Sequence, residues 1–225
     1  MVCSDLRLVV FDLDGTLIDS RRDLANSVNA TLRHLGWKDL SDEVIATYIG
    51  DGASMLVRRA LAHVADIPPL EEQETYALEF FLDYYREHKL DFTHVYEGVV
   101  ESLRAIHEHA PQVKMAVLTN KPVRPSRQIC DALGLSEFFF QNYGGDSFVT
   151  KKPNPEGLFT LMREAGVSAS QTVMVGDSKV DVATAQNAGV VCVGCSYGLS
   201  PDSLLAAGPD VMAASASEWT GLLVG

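Results

Sequence analysis

The chain has 225 residues, 47% of them hydrophobic and 21% charged, with a formal net charge of -12. That length holds one large core, or a core with a smaller inserted domain. Residues 18–90 carry 8 basic and 13 acidic side chains and the remainder 10 and 17, so the acidity is spread, and no basic block argues for nucleic-acid or anionic-membrane binding. No apolar run approaches the roughly 20 residues that span a bilayer, and the first seven residues show no signal-peptide pattern, so the expected location is cytoplasmic.

The first element is an apolar run, Leu8 to Phe11, as expected of a strand buried on both faces of a parallel sheet. It runs into Asp12-Leu13-Asp14-Gly15-Thr16. Aspartates at i and i+2 on a strand point the same way. At the carboxyl end of a strand in an open α/β sheet they face the region where ligands bind. Two carboxylates that close repel unless a proton or a metal lies between them. Gly15 lets the backbone turn and approach a ligand, and Thr16 offers a hydroxyl and an N–H to phosphoryl oxygens. Taken alone, the segment reads equally well as an acidic strand-to-loop turn. An EF-hand loop is excluded, because it needs a helical run-in and a Glu where Asp23 stands.

Ser20 is placed to cap a helix carrying the stripe Leu24, Val28, Leu32 and Leu35, ended by Gly36. A second helix is expected from Ser41. Gly50-Asp51-Gly52 is a glycine-rich break, followed by a helix through Met55 to Leu61. Pro68-Pro69 interrupts, and residues 70–88 form a further helix with Leu78, Phe81, Leu82 and Tyr85 on one side. Residues 18–90 therefore read as all-helical, without a strand, and are too long for an ordinary βα loop.

From about residue 91 strands and helices alternate. Helices are predicted at Val99–His109, Pro125–Leu133, Pro155–Ala165 and Val180–Ala188. Strands are predicted at 114–120, from Phe138, at 172–177 and at 190–193. This β-then-α spacing implies a parallel sheet with helices on both faces. Cys192-Val193-Gly194-Cys195 has C-x-x-C spacing but ends a strand. A redox pair normally precedes a helix, and a zinc site needs more ligands, so these read as small buried cysteines.

Three polar clusters follow predicted strand ends: Thr119-Asn120-Lys121, Lys151-Lys152-Pro153-Asn154-Pro155 and Gly176-Asp177-Ser178-Lys179-Val180-Asp181. Each is weak by itself. In this order, behind Asp-x-Asp-Gly-Thr, they resemble the four motifs of the haloacid dehalogenase (HAD) superfamily, in its phosphatase branch, over essentially the whole chain.

The resemblance implies an α/β fold, a Rossmann-like doubly wound parallel-sheet core (1–17 and 91–225) with an inserted all-helical cap domain (18–90). It implies Asp12 as a nucleophile forming an aspartyl-phosphate, Asp14 as general acid and base, and Lys152 as the cation beside them, preferred to Lys151 because it directly precedes Pro153. Gly15, Thr16, Thr119 and Asn120 would bind phosphoryl oxygens, together with the backbone from Leu13 to Thr16. Mg²⁺ would be held by Asp12, the Asp14 backbone carbonyl and Asp177, with Asp181 and Ser178 behind them. Phosphoryl transfer needs this charge neutralisation and in-line positioning. Asp14 favours phosphoester chemistry over dehalogenation. The insert holds only Lys38 and Lys89, neither placed for a Schiff base, and the chain is too long for a receiver domain.

Asp19-Ser20, Asp23-Leu24-Ala25, Gly50-Asp51-Gly52-Ala53, Arg58-Arg59, Gly144-Gly145-Asp146-Ser147 and Tyr197-Gly198-Leu199 resemble bacterial phosphoglycolate phosphatases. Arg21-Arg22 stands where such sequences often carry a proline. The resemblance implies hydrolysis of 2-phosphoglycolate, with Gly50, Asp51, Gly52 and Arg58 as cap contacts, Arg59 being a further candidate. The alternatives are a β-phosphoglucomutase-like isomerase, or a phosphatase of other small phosphomonoesters or pyrophosphate. The expected partner is a small phosphorylated metabolite, and the expected assembly a monomer or homodimer.

Overall fold

A computed structural model describes residues 2–65 and 67–225. The chain divides into two compact units, Met1–Asp19 with Val95–Gly225, and Ser20–His94.

In the first unit β1 (Leu8–Phe11) leads to β2 (Ile18–Asp19), and the second unit's α1 (Arg21–His34), α2 (Asp42–Ala46), α3 (Ala53–Val64) and α4 (Glu71–His88) follow. After β3 (His94–Val95) come α5 (Val99–His109), β4 (Lys114–Leu118), α6 (Val123–Ala132), β5 (Gln141–Tyr143), α7 (Glu156–Ala165), β6 (Thr172–Gly176), α8 (Lys179–Ala188), β7 (Val191–Cys195), α9 (Pro201–Ala207), β8 (Val211–Ala213) and α10 (Trp219–Leu223). Six strands form one sheet in the order β5-β4-β1-β6-β7-β8. Every neighbouring pair is parallel.

This order makes β1 the switch point. The chain builds outward through β4 and β5 on one side and through β6, β7 and β8 on the other, and ligands in such sheets bind outside the carboxyl ends at that point. β1 is buried along its whole length. Leu8 and Val10 join Leu158, Leu161 and Met162 of α7 and Val182 and Ala185 of α8 in one core layer. Phe11 faces the other way, with its ring 5.1 Å from Trp219 of α10 and 6.1 Å from Phe139. Alternation along the strand thus feeds two cores.

The second unit is a small helical bundle in which α4 packs on α1 and α3. Leu24, Val28 and Leu32 are buried as their spacing predicts, with Leu56, Val57, Leu61, Phe81 and Tyr85. Asp23 is 1% exposed. It accepts hydrogen bonds from Phe92 N–H at 3.1 Å, Thr93 N–H at 2.8 Å and the Thr93 hydroxyl at 2.7 Å. Those donors satisfy a carboxylate that would otherwise be costly to bury. Ser41 caps α2 through its hydroxyl, whereas Ser20 precedes α1 without a side-chain cap.

Two local expectations differ from what forms. The strand predicted from Phe138 is a 3-10 turn, Ser136–Phe138, and the strand is Gln141–Tyr143. Phe139 goes to the Phe11 contact, so it serves packing ahead of the strand, while Phe140 is exposed. Residues 18–90, read as free of strands, include β2, which pairs with β3 in a separate two-stranded sheet. No helix among the described residues is long and apolar enough to cross a membrane.

Candidate active site

The residues singled out in the core cluster at the carboxyl ends of three adjacent strands. Phe11 of β1 lies in register with Val117 of β4 and Val175 of β6. Asp12, Thr119 and Asp177 therefore leave neighbouring strands at about the same level, and the β5–α7 loop supplies Lys152.

Beyond β1 the chain bends tightly. The Leu13 carbonyl accepts from the amides of Thr16, Leu17 and Ile18, and Gly15 N–H donates to the Ile18 carbonyl. The Gly15 and Thr16 amides are thus engaged inside the turn, which corrects the expectation that the whole backbone from Leu13 to Thr16 is available to a ligand. Gly15 has φ +84°, and a Cβ there would fall within the Asp177 carboxylate. Gly15→Ala is therefore expected to displace Asp177 and cost activity by on the order of 10²-fold. A steady-state assay of the purified variant checks this, and turnover equal to the parent's would sink it. The Thr16 hydroxyl is buried and has no hydrogen-bond partner among the described residues.

Lys152 lies between two carboxylates. Its Nζ is 2.8 Å from Asp12 Oδ1 and 2.7 Å from Asp181 Oδ1, and its side chain is 2% exposed. Lys151, next to it, is exposed. The Asn120 side-chain amide donates to the Lys152 carbonyl at 3.1 Å, bracing that loop. Asp181 Oδ2 accepts from the Ser178 amide at 3.1 Å and hydroxyl at 2.7 Å, capping α8. Both Asp181 oxygens are therefore already bonded. The Thr119 hydroxyl oxygen accepts from Lys121 N–H at 3.2 Å.

Asp177 is 3% exposed, and its Oδ2 accepts from Leu199 N–H at 2.6 Å. The Tyr197 hydroxyl donates to the Thr16 carbonyl at 2.8 Å, and a Cβ on Gly198 would collide with Asp177. Tyr197-Gly198-Leu199 thereby brace the site from beyond β7. Their role was invisible in the sequence, because nothing local links them to residues 16 and 177.

Asp12, Asp177 and Asp181 offer oxygens that all lie within 4.8 Å of one another. Burial pushes the Asp12 carboxyl up to about 6, with Lys152 opposing and Asp181 adding to the rise. Burial raises Asp177 well above the usual carboxylate range, helped by Asp181 and Asp12. Lys152 is raised: its burial opposes the charge, but Asp12 and Asp181 outweigh it. Three carboxylates share one bonded ammonium, a formal deficit of two positive charges, and the donors are all oxygen. That chemistry fits a hard divalent cation such as Mg²⁺.

Lys121 was not chosen from the sequence as a site residue. Its Nζ lies 2.9 Å from both carboxylate oxygens of Asp14, and it is buried. In the helical unit, Gly50 and Gly52 have φ +116° and +89°. Asp51 pairs with Arg59 at 2.5 Å, and Arg59 also donates to the Tyr48 carbonyl. Arg58 instead pairs with Glu74 of α4 at 3.3 Å and is 62% exposed. Successive helical residues differ by about 100° around the axis, so Arg59, not Arg58, is the arginine tied to the glycine turn. Cys130, Cys192 and Cys195 are buried free thiols. Burial pushes the thiols of Cys130 and Cys195 up to about 12 and raises that of Cys192, as suits inert core residues.

A family profile described as haloacid dehalogenase-like hydrolase matches residues 9–195. The chain belongs to this family. Among curated relatives of this HAD-like hydrolase, the phosphoglycolate phosphatase of Pseudomonas fluorescens is 45% identical over 193 residues, covering 85% of this chain and 70% of the relative. That of Vibrio parahaemolyticus is 38% identical over 221 residues, covering 97% and 96%. A crystal structure described as a predicted phosphoglycolate phosphatase from Haemophilus somnus superposes with a TM-score of 0.91 at 31% identity, covering 97% of this chain and 98% of that one. The HAD-like hydrolase described here is an enzyme of the phosphatase class.

Proposed function

We propose that this phosphatase hydrolyses phosphomonoesters through an aspartyl-phosphate on Asp12, that it requires Mg²⁺, and that 2-phosphoglycolate is its substrate. The observation that carries the reading is Asp12 itself. It is a buried carboxylate at the carboxyl end of the switch-point strand, bonded to an ammonium and set among acids two charges short of neutrality.

Ionised Asp12 attacks phosphorus, and the bond from phosphorus to the ester oxygen breaks. Asp14 gives its proton to the departing alkoxide. It then takes a proton from the water that attacks the acyl-phosphate, which restores the Asp12 carboxylate and releases phosphate. Lys152 offsets charge on Asp12 and on the phosphoryl group. The Thr16 hydroxyl, buried without a partner among the described residues, would be satisfied by a phosphoryl oxygen, and Thr119 and Asn120 would border the same group. Mg²⁺, held by Asp12, Asp177 and the Asp14 backbone carbonyl with Ser178 and Asp181 behind them, would neutralise phosphoryl charge. Asp181 suits the outer role because both its oxygens are already bonded.

Two lines support the substrate. The curated relatives named above carry that activity in their names. The Ser20–His94 unit, which we assign as the cap, holds a glycine turn with an adjacent arginine, Arg59. An arginine there suits the carboxylate end of 2-phosphoglycolate.

The test is phosphate release from 2-phosphoglycolate, glucose 1-phosphate, nucleoside monophosphates, pyrophosphate and p-nitrophenyl phosphate. The expected kcat/KM for 2-phosphoglycolate exceeds the others by about tenfold or more, with activity lost in EDTA and restored by Mg²⁺. Even activity across the panel would reject the substrate. Conversion of glucose 1-phosphate to glucose 6-phosphate without phosphate release would select the isomerase.

A further inference from the structure

Lys121 has no part in the chemistry described so far, yet it makes the most symmetric ion pair of the site. Its ammonium is 2.9 Å from each oxygen of Asp14, and the two side chains are 4% and 12% exposed. An ammonium shared evenly by both oxygens restrains the rotation of the carboxyl group as well as its position. A lysine serving only as general positive charge has no need of that placement.

The backbone beneath Lys121 is held as firmly. Its N–H donates to Thr119 Oγ1 at 3.2 Å, and its carbonyl accepts from Gly145 N–H at 2.8 Å. A Cβ on Gly144 would strike Val123 and the Lys121 carbonyl, and one on Gly145 would strike the Asn120 carbonyl. Asp146 Oδ1 accepts from Val123 N–H at 2.7 Å, and Ser147 Oγ accepts from Gly144 N–H at 2.9 Å. The loop after β5 thus packs backbone to backbone against residues 120–123, an approach that only glycines at 144 and 145 permit.

We propose that Lys121 is a positioning residue that sets the Asp14 carboxyl for proton transfer to the leaving group, and that the Gly144–Ser147 loop is the platform that holds Lys121. This rests on the assignment of Asp14 as the acid.

The test compares kcat/KM of the full chain and its Lys121→Met, Lys121→Arg and Asp14→Asn variants on 2-phosphoglycolate, ethyl phosphate and p-nitrophenyl phosphate. This parameter covers steps through the first phosphoryl transfer, so hydrolysis of the intermediate does not enter. The p-nitrophenolate departs without a proton, whereas the two alkoxides need one. Lys121→Met is expected to lose about 10²-fold on both alkyl esters and only a few-fold on the aryl ester, which also shows that the variant is folded. Lys121→Arg should recover part of the loss, and Asp14→Asn should show the same contrast, enlarged.

Equal losses on all three substrates would overturn the proposal in favour of a phosphoryl contact or a damaged fold. A loss confined to 2-phosphoglycolate would overturn it in favour of a contact with the substrate carboxylate, and no loss would leave Lys121 without a role. If Asp14→Asn itself fails to separate alkyl from aryl esters, the acid assignment falls and the Lys121 proposal falls with it. If Asp14→Asn shows the contrast and Lys121→Met does not, only the latter falls.

Discussion

Asp12→Asn is expected to abolish phosphate release while making the metal-free protein more stable at neutral pH. The amide is no nucleophile, so the loss should be on the order of 10⁴-fold or more. Stability moves the other way because burial raises the Asp12 carboxyl from its ordinary 3.8 to about 6. Below the lower value the group is neutral whether folded or unfolded, and it costs nothing. Between the two values the unfolded chain releases its proton and the folded chain does not, so folding loses ground as pH rises. Above about 6 the cost is complete, at most about 3 kcal/mol at 1.36 kcal/mol per unit.

The variant lacks that titration. Its advantage in urea unfolding with EDTA should therefore open between about pH 4 and pH 6 and level off above. Added Mg²⁺ should reverse the order by stabilising the parent more than the variant. A variant that keeps activity within tenfold of the parent would remove Asp12 from the nucleophile's role.

Lys152→Met is expected to damage both activity and stability. The lysine is 2% exposed and is bonded to Asp12 and Asp181. Without it three buried carboxylates keep no ammonium among them. Breaking such a pair costs about 3–5 kcal/mol, because the remaining charge is left uncompensated. Lys152 has a raised value in the fold, so in the parent it is charged throughout the acid and neutral range. The pH dependence of the loss must come from the carboxylates. Asp12 and Asp177 are raised too, so their penalty is present at high pH and fades as they protonate.

The deficit should accordingly be larger at about pH 8 than at about pH 5, the window set by the Asp12 value of about 6. Turnover should fall on the order of 10³-fold, since the cation bonded to Asp12, the nucleophile we propose, is gone. Arginine should restore little, because a planar fork does not replace a point charge between two carboxylates. Equal unfolding midpoints for parent and variant in EDTA would contradict this account.

Much of the fold could be read locally. The Leu8–Phe11 run, the leucine stripe of α1 and the β-then-α spacing after residue 91 all emerged close to where periodicity placed them. Hydrophobic periodicity is a short-range property that records which face of an element is covered. The Phe138–Phe140 run misled for the same reason. Apolar density reports burial, and only packing against Phe11 decided that Phe139 lies ahead of the strand.

The sequence by itself determined the family, the doubly wound sheet and the presence of Asp12, Asp14, Lys152 and Asp177 at strand or loop ends. It did so through residue types at short, ordered spacings. Tertiary structure alone decided who bonds to whom. The strand order β5-β4-β1-β6-β7-β8 puts Lys121 on Asp14 across 107 positions, Lys152 on Asp181 across 29, and Leu199 N–H on Asp177 across 22. Within the helical unit, the turn of α3 separated Arg58, which pairs with Glu74, from Arg59, which pairs with Asp51. Ion pairs and backbone braces of this kind depend on distances through space, and a linear spacing holds no record of them until the sheet has brought the ends of its strands together.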